Sequence, residues 1–180
     1  MATARRNELL DLAYGYVTEH GLADLSLRPL AAAIGSSPRV LLFLFGSKDG
    51  LVRALLDRAR EDELTLLAGA HGEGLAAVGE TLWGWLSDER HRPLLRLWVE
   101  AYARSLLDRD GPWAGFAAAT VAGWLDVLRR AQPEADRDTE DGLARRTAVL
   151  AVLRGATFDL LATGDLKRTT AAVRLQLSAA

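Results

Sequence analysis

The side chains best suited to binding an anionic surface lie between residues 26 and 48. Lys48 follows a serine that can cap a helix, so its ammonium and the free N–H groups of that helix can together hold a phosphate. Arg39 lies in the first turn of another helix, where it can reach guanine O6 and N7, contact a phosphate or pair with an acidic neighbour. Ser37 can cap the helix of Arg39, and Arg28 favours a phosphate over a base. The sequence thus offers nucleic-acid contacts, with solvated surface charges as the alternative.

No pattern typical of a catalytic or metal site accompanies these residues. The histidines at 20, 71 and 91 are isolated, without an i, i+4 partner or a serine nucleophile motif nearby. Residues 136–142 resemble a calcium loop, but the glycine falls at the seventh position and Thr147 replaces the bidentate glutamate. The glycines form neither a Walker nor a dinucleotide-binding pattern. We therefore expect no enzyme activity, no metal and no cofactor.

Apolar residues recur every three or four positions, without strand-like alternation, which predicts an all-helical fold. Ser26, Ser37 and Ser47 are suited to cap the second, third and fourth helices. The helices are predicted near 5–20, 27–34, 38–45, 48–69, 75–89, 92–109, 113–131, 139–163 and 166–177.

Two short helices joined by a turn that contains Gly35 form a helix-turn-helix, whose second helix enters the major groove of DNA. The segment LSLRPLAAAIGSSPRVLLFLFGSKDGL, preceded by a helix and Gly21, resembles the DNA-binding region of TetR-type transcriptional regulators. The resemblance covers roughly residues 5–60 and is carried by Leu9, Leu10, Ala13, Gly21, Ser26, Leu30, Ala31, Gly35, Ser37, Leu41, Phe45, Ser47, Lys48 and Leu51.

This resemblance implies a ligand-responsive regulator, usually a repressor, that binds a palindromic operator as a homodimer. It divides the chain into a helix-turn-helix DNA-binding domain (1–47), a linking helix (48–70) and an effector-binding and dimerisation domain (71–180). The residues expected to contact DNA are Ser26, Arg28, Ser36, Ser37, Arg39, Val40, Phe43 and Lys48.

The second helix of the helix-turn-helix, the recognition helix, departs from the family at two positions. The family commonly has a tyrosine where Leu42 stands and a histidine or similar polar residue where Leu44 stands. Leucine cannot bind phosphate, so two expected hydrogen bonds to DNA are missing. Six consecutive apolar residues, 40–45, cannot share one face of a helix. We predict that Leu41 and Phe45 are buried, which leaves Leu42, Phe43 or Leu44 partly exposed to thymine methyl groups or to protein. A competing hypothesis is therefore a helical dimer that has lost specific DNA binding and serves as a small-molecule-binding or protein-interaction module.

All five tryptophans follow residue 82. Large aromatic side chains can line a cavity for a small apolar or amphipathic effector, although each can equally be ordinary core. The candidate ligand-binding residues are Trp83, Trp98, Tyr102, Phe116, Trp124 and Phe158. For Glu100, between Trp98 and Tyr102, we favour the polar side of its helix over a ligand-facing carboxylate.

Small side chains at three- and four-residue steps within 139–163 allow another helix to approach closely. With the helix at 166–177, this segment is the predicted dimer interface, and packing within the chain is the alternative. The interface residues expected are Leu143, Ala148, Ala151, Gly155 and Leu161.

The chain has 180 residues, a net charge of −2 and no cysteine, which excludes disulfides and thiolate metal sites. Its N-terminal segment carries charges unlike those of a signal peptide, and no segment approaches the roughly 18 apolar residues of a membrane span. We expect a cytoplasmic protein whose partners are double-stranded DNA, a small-molecule effector and a second copy of itself, with no membrane.

Overall fold

The structure is a computed structural model that describes residues 2–22, 24–108 and 110–178. Within these residues there are nine α-helices and no strand, so the all-helical prediction is confirmed. The helices are α1 Ala2–His20, α2 Leu27–Ala33, α3 Pro38–Phe45, α4 Lys48–Gly69, α5 Gly74–Leu86, α6 Arg92–Leu107, α7 Phe116–Ala131, α8 Glu140–Thr163 and α9 Leu166–Leu177. Two short 3-10 turns, Glu89–His91 and Glu134–Asp136, precede α6 and α8.

Local capping chemistry marks the starts of α3 and α4. The N–H of Val40 donates to Ser37 Oγ at 3.3 Å, and Pro38 occupies the first turn of α3. Ser47 Oγ accepts from the N–H of Gly50 at 2.9 Å at the start of α4. Ser26 occupies the N-cap position of α2, but its hydroxyl makes no capping hydrogen bond.

Two predicted boundaries are wrong for identifiable reasons. Helix α7 begins at Phe116 rather than near residue 113, because Gly115 adopts a φ of 78° that a right-handed helix cannot contain. Helix α5 ends at Leu86 rather than near residue 89, because Asp88 caps the 3-10 turn that follows.

One compact unit comprises Met1–Asp62 and Pro93–Ala118. Its core is built from apolar side chains of α1, α2, α3, the first part of α4, and α6, with Leu9, Leu30, Leu41, Leu55 and Leu97 all buried. Helix α6 thus packs into the same core as the helix-turn-helix. This grouping reflects packing and not function, so the predicted division at residues 47 and 70 stays a prediction.

The second compact unit comprises Glu63–Arg92 and Ala119–Ala180, in which α5, α8 and α9 pack against one another. Trp83 of α5 is buried there, and its indole N–H donates to Thr170 Oγ1 of α9 at 3.0 Å. This hydrogen bond fixes the contact between the two helices.

No single described helix is long and apolar enough to cross a membrane, and α2 and α3 meet that test only together, as a pair bent by 102°.

Substitution by alanine is expected to have opposite effects on stability at two glycines of α5. In Gly84→Ala the new methyl group meets nothing within 4 Å, so the helix gains stability, by about 0.5–1 kcal/mol. In Gly79→Ala the methyl carbon would lie 2.5 Å from Leu177 Cδ2, and the overpacking costs about 1–3 kcal/mol. Denaturant unfolding of both variants measures the difference, and equal free energies of unfolding would contradict the close packing of α5 on α9.

Candidate functional site

Helix α3 presents one face to the core and the opposite face to solvent. Leu41 and Phe45 are buried, as predicted, and the guanidinium of Arg6 lies 4.9 Å from the centre of the Phe45 ring. The other apolar side chains of α3 divide between solvent and the edge of the core. Phe43 is 83% exposed and Leu42 is also exposed, whereas Leu44 is half-buried against the core.

The turn between α2 and α3 sets the angle at which α3 is presented. Gly35 adopts a φ of 63°, which favours glycine, and the N–H of Ser36 donates to the carbonyl of Ala31 at 2.8 Å. Ser36 Oγ is buried and has no hydrogen-bond partner among the described residues, so this hydroxyl is not presented to solvent. Ser37 is half-buried and acts as the cap of α3.

An open groove of about 710 Å³ runs beside α3. Ser26, Arg28, Pro38 and Lys48 line it, together with Asp24, so the structure brings three predicted DNA-contacting residues together. Lys48 is exposed at the N-terminus of α4, as expected for a phosphate-binding position.

Three exposed cations of the helix-turn-helix and the start of α4 are not neutralised by a neighbouring carboxylate that the structure describes. Within the described residues, Arg28, Arg39 and Lys48 form no ion pair. Many other arginines are neutralised, such as Arg58, whose Nη1 lies 2.6 Å from Asp62 Oδ1. A surface with free cations beside exposed apolar and hydroxyl groups is suited to a polyanion with apolar edges, such as DNA.

A polar cluster joins α4 to α1 in the same unit. The Tyr14 hydroxyl donates to Asp62 Oδ2 at 2.8 Å, and Arg58 donates to Asp62 Oδ1 at 2.6 Å. The Arg58 guanidinium also lies 5.4 Å from the centre of the Tyr14 ring. Burial, and then the hydrogen bond to Asp62, raise the pKa of the Tyr14 phenol well above its ordinary value of 10.0. The cluster holds the helix that begins at Lys48 against α1.

The predicted ligand-binding residues fall into two groups of three. Trp98, Tyr102 and Phe116 belong to the first unit, and Trp83, Trp124 and Phe158 belong to the second. Trp83, Trp124 and Phe116 are buried, Trp98 and Tyr102 are half-buried, and Phe158 is 46% exposed. The six are not brought together within either unit.

Glu63 is a residue that sequence reasoning missed. On α4 the apolar Leu64 is exposed, whereas its neighbour Glu63 is only 2% exposed. Its carboxylate accepts from the Trp124 indole N–H at 2.5 Å and from the Thr120 hydroxyl at 3.3 Å. The signal was its spacing of four residues from both Ala59 and Leu67, which places it on the buried side of the helix.

The predicted interface residues lie on the side of α8 away from its buried residues. Leu143, Ala148, Ala151 and Gly155 are exposed, and Leu161 is half-buried. Phe158 continues the exposed row, and Leu175 of α9 is 75% exposed. Two helices of one unit therefore carry exposed apolar side chains.

Comparison with known proteins gives consistent matches. Residues 9–55 match the family described as bacterial regulatory proteins, tetR family. The chain is 33% identical over 144 residues to the HTH-type transcriptional repressor Rv1474c of Mycobacterium tuberculosis, covering 77% of this chain and 71% of that protein.

Two solved structures share the fold. A transcriptional regulator from Rhodococcus sp. RHA1 has a TM-score of 0.80 and 18% identity, covering 97% of this chain and 94% of that chain. The multidrug binding protein EbrR complexed with proflavin has a TM-score of 0.71 and 22% identity, covering 96% of this chain and 97% of that chain.

The Tyr14 cluster makes stability depend on pH. Tyr14→Phe removes the hydrogen bond to Asp62 and should lower the free energy of unfolding by about 1–2 kcal/mol at neutral pH. Above about pH 10 the unfolded chain loses the Tyr14 proton while the folded protein keeps it, so wild-type stability falls as the pH rises. Denaturant unfolding between about pH 7 and pH 11 should show that part of the decline disappears in Tyr14→Phe. Tyr16→Phe, on the same helix, is the control for removal of a phenol, and an unchanged decline in Tyr14→Phe would contradict the assignment.

Proposed function

Because the chain belongs to the TetR family of bacterial regulatory proteins, we propose that it is a ligand-responsive repressor of transcription, which binds a palindromic operator as a homodimer and is released by a small apolar or amphipathic effector. Members of this family are transcriptional regulators, not enzymes. The observation that carries the proposal is the exposed face of α3, flanked by the free cations Arg28, Arg39 and Lys48.

The proposed contacts to DNA are of two kinds, contacts to phosphates and contacts to base edges. Lys48 and Arg28, which share the groove with Ser26, bind phosphates and set the position of the protein on the duplex. Arg39 reads a guanine edge, with Ser37 beside it. Val40 and Phe43 contact thymine methyl groups, and exposed Leu42 extends this apolar face. Ser36 contributes through the turn, because its hydroxyl is buried.

The dimer proposal rests on the exposed faces of α8 and α9. Ala148, Ala151 and Gly155 form a flat row that a second copy of α8 can approach closely, and Leu143, Leu161 and Leu175 add apolar area. A homodimer on a palindromic operator uses two copies of α3, one for each half-site. Their centres must then be about 34–36 Å apart, one turn of DNA, which is why the operator is palindromic.

The effector proposal is supported by the aromatic side chains of both units and by the likeness to a multidrug binding protein complexed with proflavin. An effector that binds the free protein better than the DNA-bound protein weakens DNA binding by the same factor. Repression is supported by the name of the related M. tuberculosis protein.

We place the DNA-binding domain at 1–47, the linking helix at 48–70 and the effector-binding and dimerisation domain at 71–180. The proposed DNA binding supports a location in the cytoplasm. The second candidate function is a dimeric small-molecule-binding or protein-interaction module, which exposed Leu42 and Phe43 favour because they add apolar surface without phosphate ligands.

Selection of bound fragments from a random pool of double-stranded DNA near physiological salt tests the main proposal. We expect a recurrent inverted repeat. Lys48→Ala should weaken binding to all selected fragments alike, whereas Arg39→Ala should relax preference at one base pair per half-site, at a cost of about 1–3 kcal/mol.

The matched control is Lys167→Ala, because residue 167 is the other lysine of the chain. Lack of any enrichment by a well-folded dimer would favour the interaction module, and equal effects of the two lysine substitutions would contradict the phosphate contact. Proflavin titrated against the protein in the absence of DNA, followed by tryptophan fluorescence, tests the effector part, since saturable binding supports it and the absence of binding opposes it.

The dimer is tested by Ala151→Glu, which places two carboxylates face to face at a two-fold interface. Light scattering at micromolar concentration should give twice 19.5 kDa for the wild type and about 19.5 kDa for the variant. Ala122→Glu, an exposed alanine of α7, is the control and should stay dimeric. A monomeric wild type would contradict the proposal.

A further inference from the structure

Glu100 makes a contact that its place on α6 does not predict. Its Oε2 accepts a hydrogen bond from the backbone N–H of Leu22 at 2.8 Å, across 78 positions of sequence. Leu22 is buried in the turn between α1 and α2. The carboxylate of α6 therefore satisfies a buried donor of the segment that leads into the helix-turn-helix.

The turn is shaped to receive this carboxylate. Gly21 adopts a φ of 85°, and a Cβ at this position would lie 3.1 Å from Glu100 Oε2. The absence of a side chain thus allows the close approach, and the positive φ turns the next N–H into position. Beside it, the rings of Tyr16 and His20 stack with centroids 4.1 Å apart, which orders the last turn of α1.

Stability alone does not explain a carboxylate here. Glu100 Oε1 is buried and has no hydrogen-bond partner among the described residues, and such an atom costs free energy. An apolar side chain that filled the same space would remove this cost but would leave the Leu22 N–H unpaired. What the carboxylate supplies is a fixed acceptor for Leu22, held by a helix that shares the core of the DNA-binding helices.

The turn also continues directly into the DNA-facing groove. Leu25 N–H donates to Leu22 O at 3.2 Å, and Ser26 follows at the N-cap of α2. Ser26 lines both the groove beside α3 and a cavity of about 260 Å³ that Glu100 also lines. Moving the turn therefore moves α2, and with it α3, which packs against α2.

We infer that Glu100 is a positioning residue for DNA recognition, which sets the orientation of α2 and α3 by holding the N–H of Leu22. The inference rests on the proposed DNA-binding function. Glu100 touches no DNA itself, so it acts on the precision of base contacts and not on general attraction to phosphate.

Three variants distinguish this role from charge and from folding. Glu100→Ala removes the acceptor, Glu100→Gln keeps an acceptor oxygen without the charge, and Asp57→Asn removes an exposed charge of α4 in the same unit. Loss of a negative charge alone strengthens binding to DNA of any sequence. The positioning role predicts the opposite for Glu100→Ala, which should bind the selected DNA more weakly than the wild type does.

The first measurement is the affinity for the selected inverted repeat divided by the affinity for random-sequence duplex. Glu100→Ala should lower this ratio about tenfold, as if one base contact were lost, while Glu100→Gln and Asp57→Asn keep it near the wild-type value. A purely structural role would reduce the folded fraction and leave the ratio of the folded protein unchanged. An unchanged ratio in Glu100→Ala overturns the inference.

The second measurement needs no DNA and separates failure of this inference from failure of the proposed function. Amide hydrogen exchange should show Leu22 protected in the wild type and in Glu100→Gln, and at least about tenfold faster exchange in Glu100→Ala. The amide resonances of α2 and α3 should shift in the same variant. Unchanged exchange and unshifted resonances overturn the positioning role, whether or not a DNA site is found.

Discussion

Burial of Leu41 and Phe45 fixes the rotation of α3 about its axis, and the character of the exposed surface follows from that constraint. Two side chains four residues apart define one face of a helix, so residues 39, 40, 42 and 43 must lie on the other. The guanidinium of Arg6 over the Phe45 ring closes the edge of the core at this point. The same core that stabilises the unit therefore selects which side chains are offered to a partner.

Two sets of polar contacts, made by other helices, hold the elements around α3 in position. Tyr14, Arg58 and Asp62 join α4 to α1, which places the N-terminus that carries Lys48. Glu100 joins α6 to the turn before α2. Apolar packing tolerates small sliding of helices, whereas hydrogen bonds at 2.6 to 2.8 Å impose direction. The arrangement of α2, α3 and α4 thus depends on partners far apart in the sequence.

Local chemistry made the fold predictable, and distant contacts limited the prediction of the site. The start of α3 follows from Ser37 and Pro38, and its burial pattern follows from the helical period. The helical spacing of Glu63 marks its burial, but neither its hydrogen bond to Trp124 nor the contact of Glu100 with Leu22 has a local cause, because each partner comes from a distant part of the chain. The aromatic residues were ambiguous for the same reason. A large aromatic side chain such as Trp83 suits a ligand cavity as well as a core, and its N–H is bound within the unit.

The mixed composition of the α3 surface has a consequence for how affinity responds to ionic strength. With Arg28 and Lys48 as the phosphate contacts, a dimer displaces counterions from about four phosphates, and log K falls with log salt with a slope of about −3.6. Contacts of Val40, Leu42 and Phe43 with base edges release no counterions. With a chain whose net charge is −2, long-range attraction to DNA is weak. Discrimination between sites therefore depends on short-range fit, which persists at salt concentrations that suppress non-specific binding.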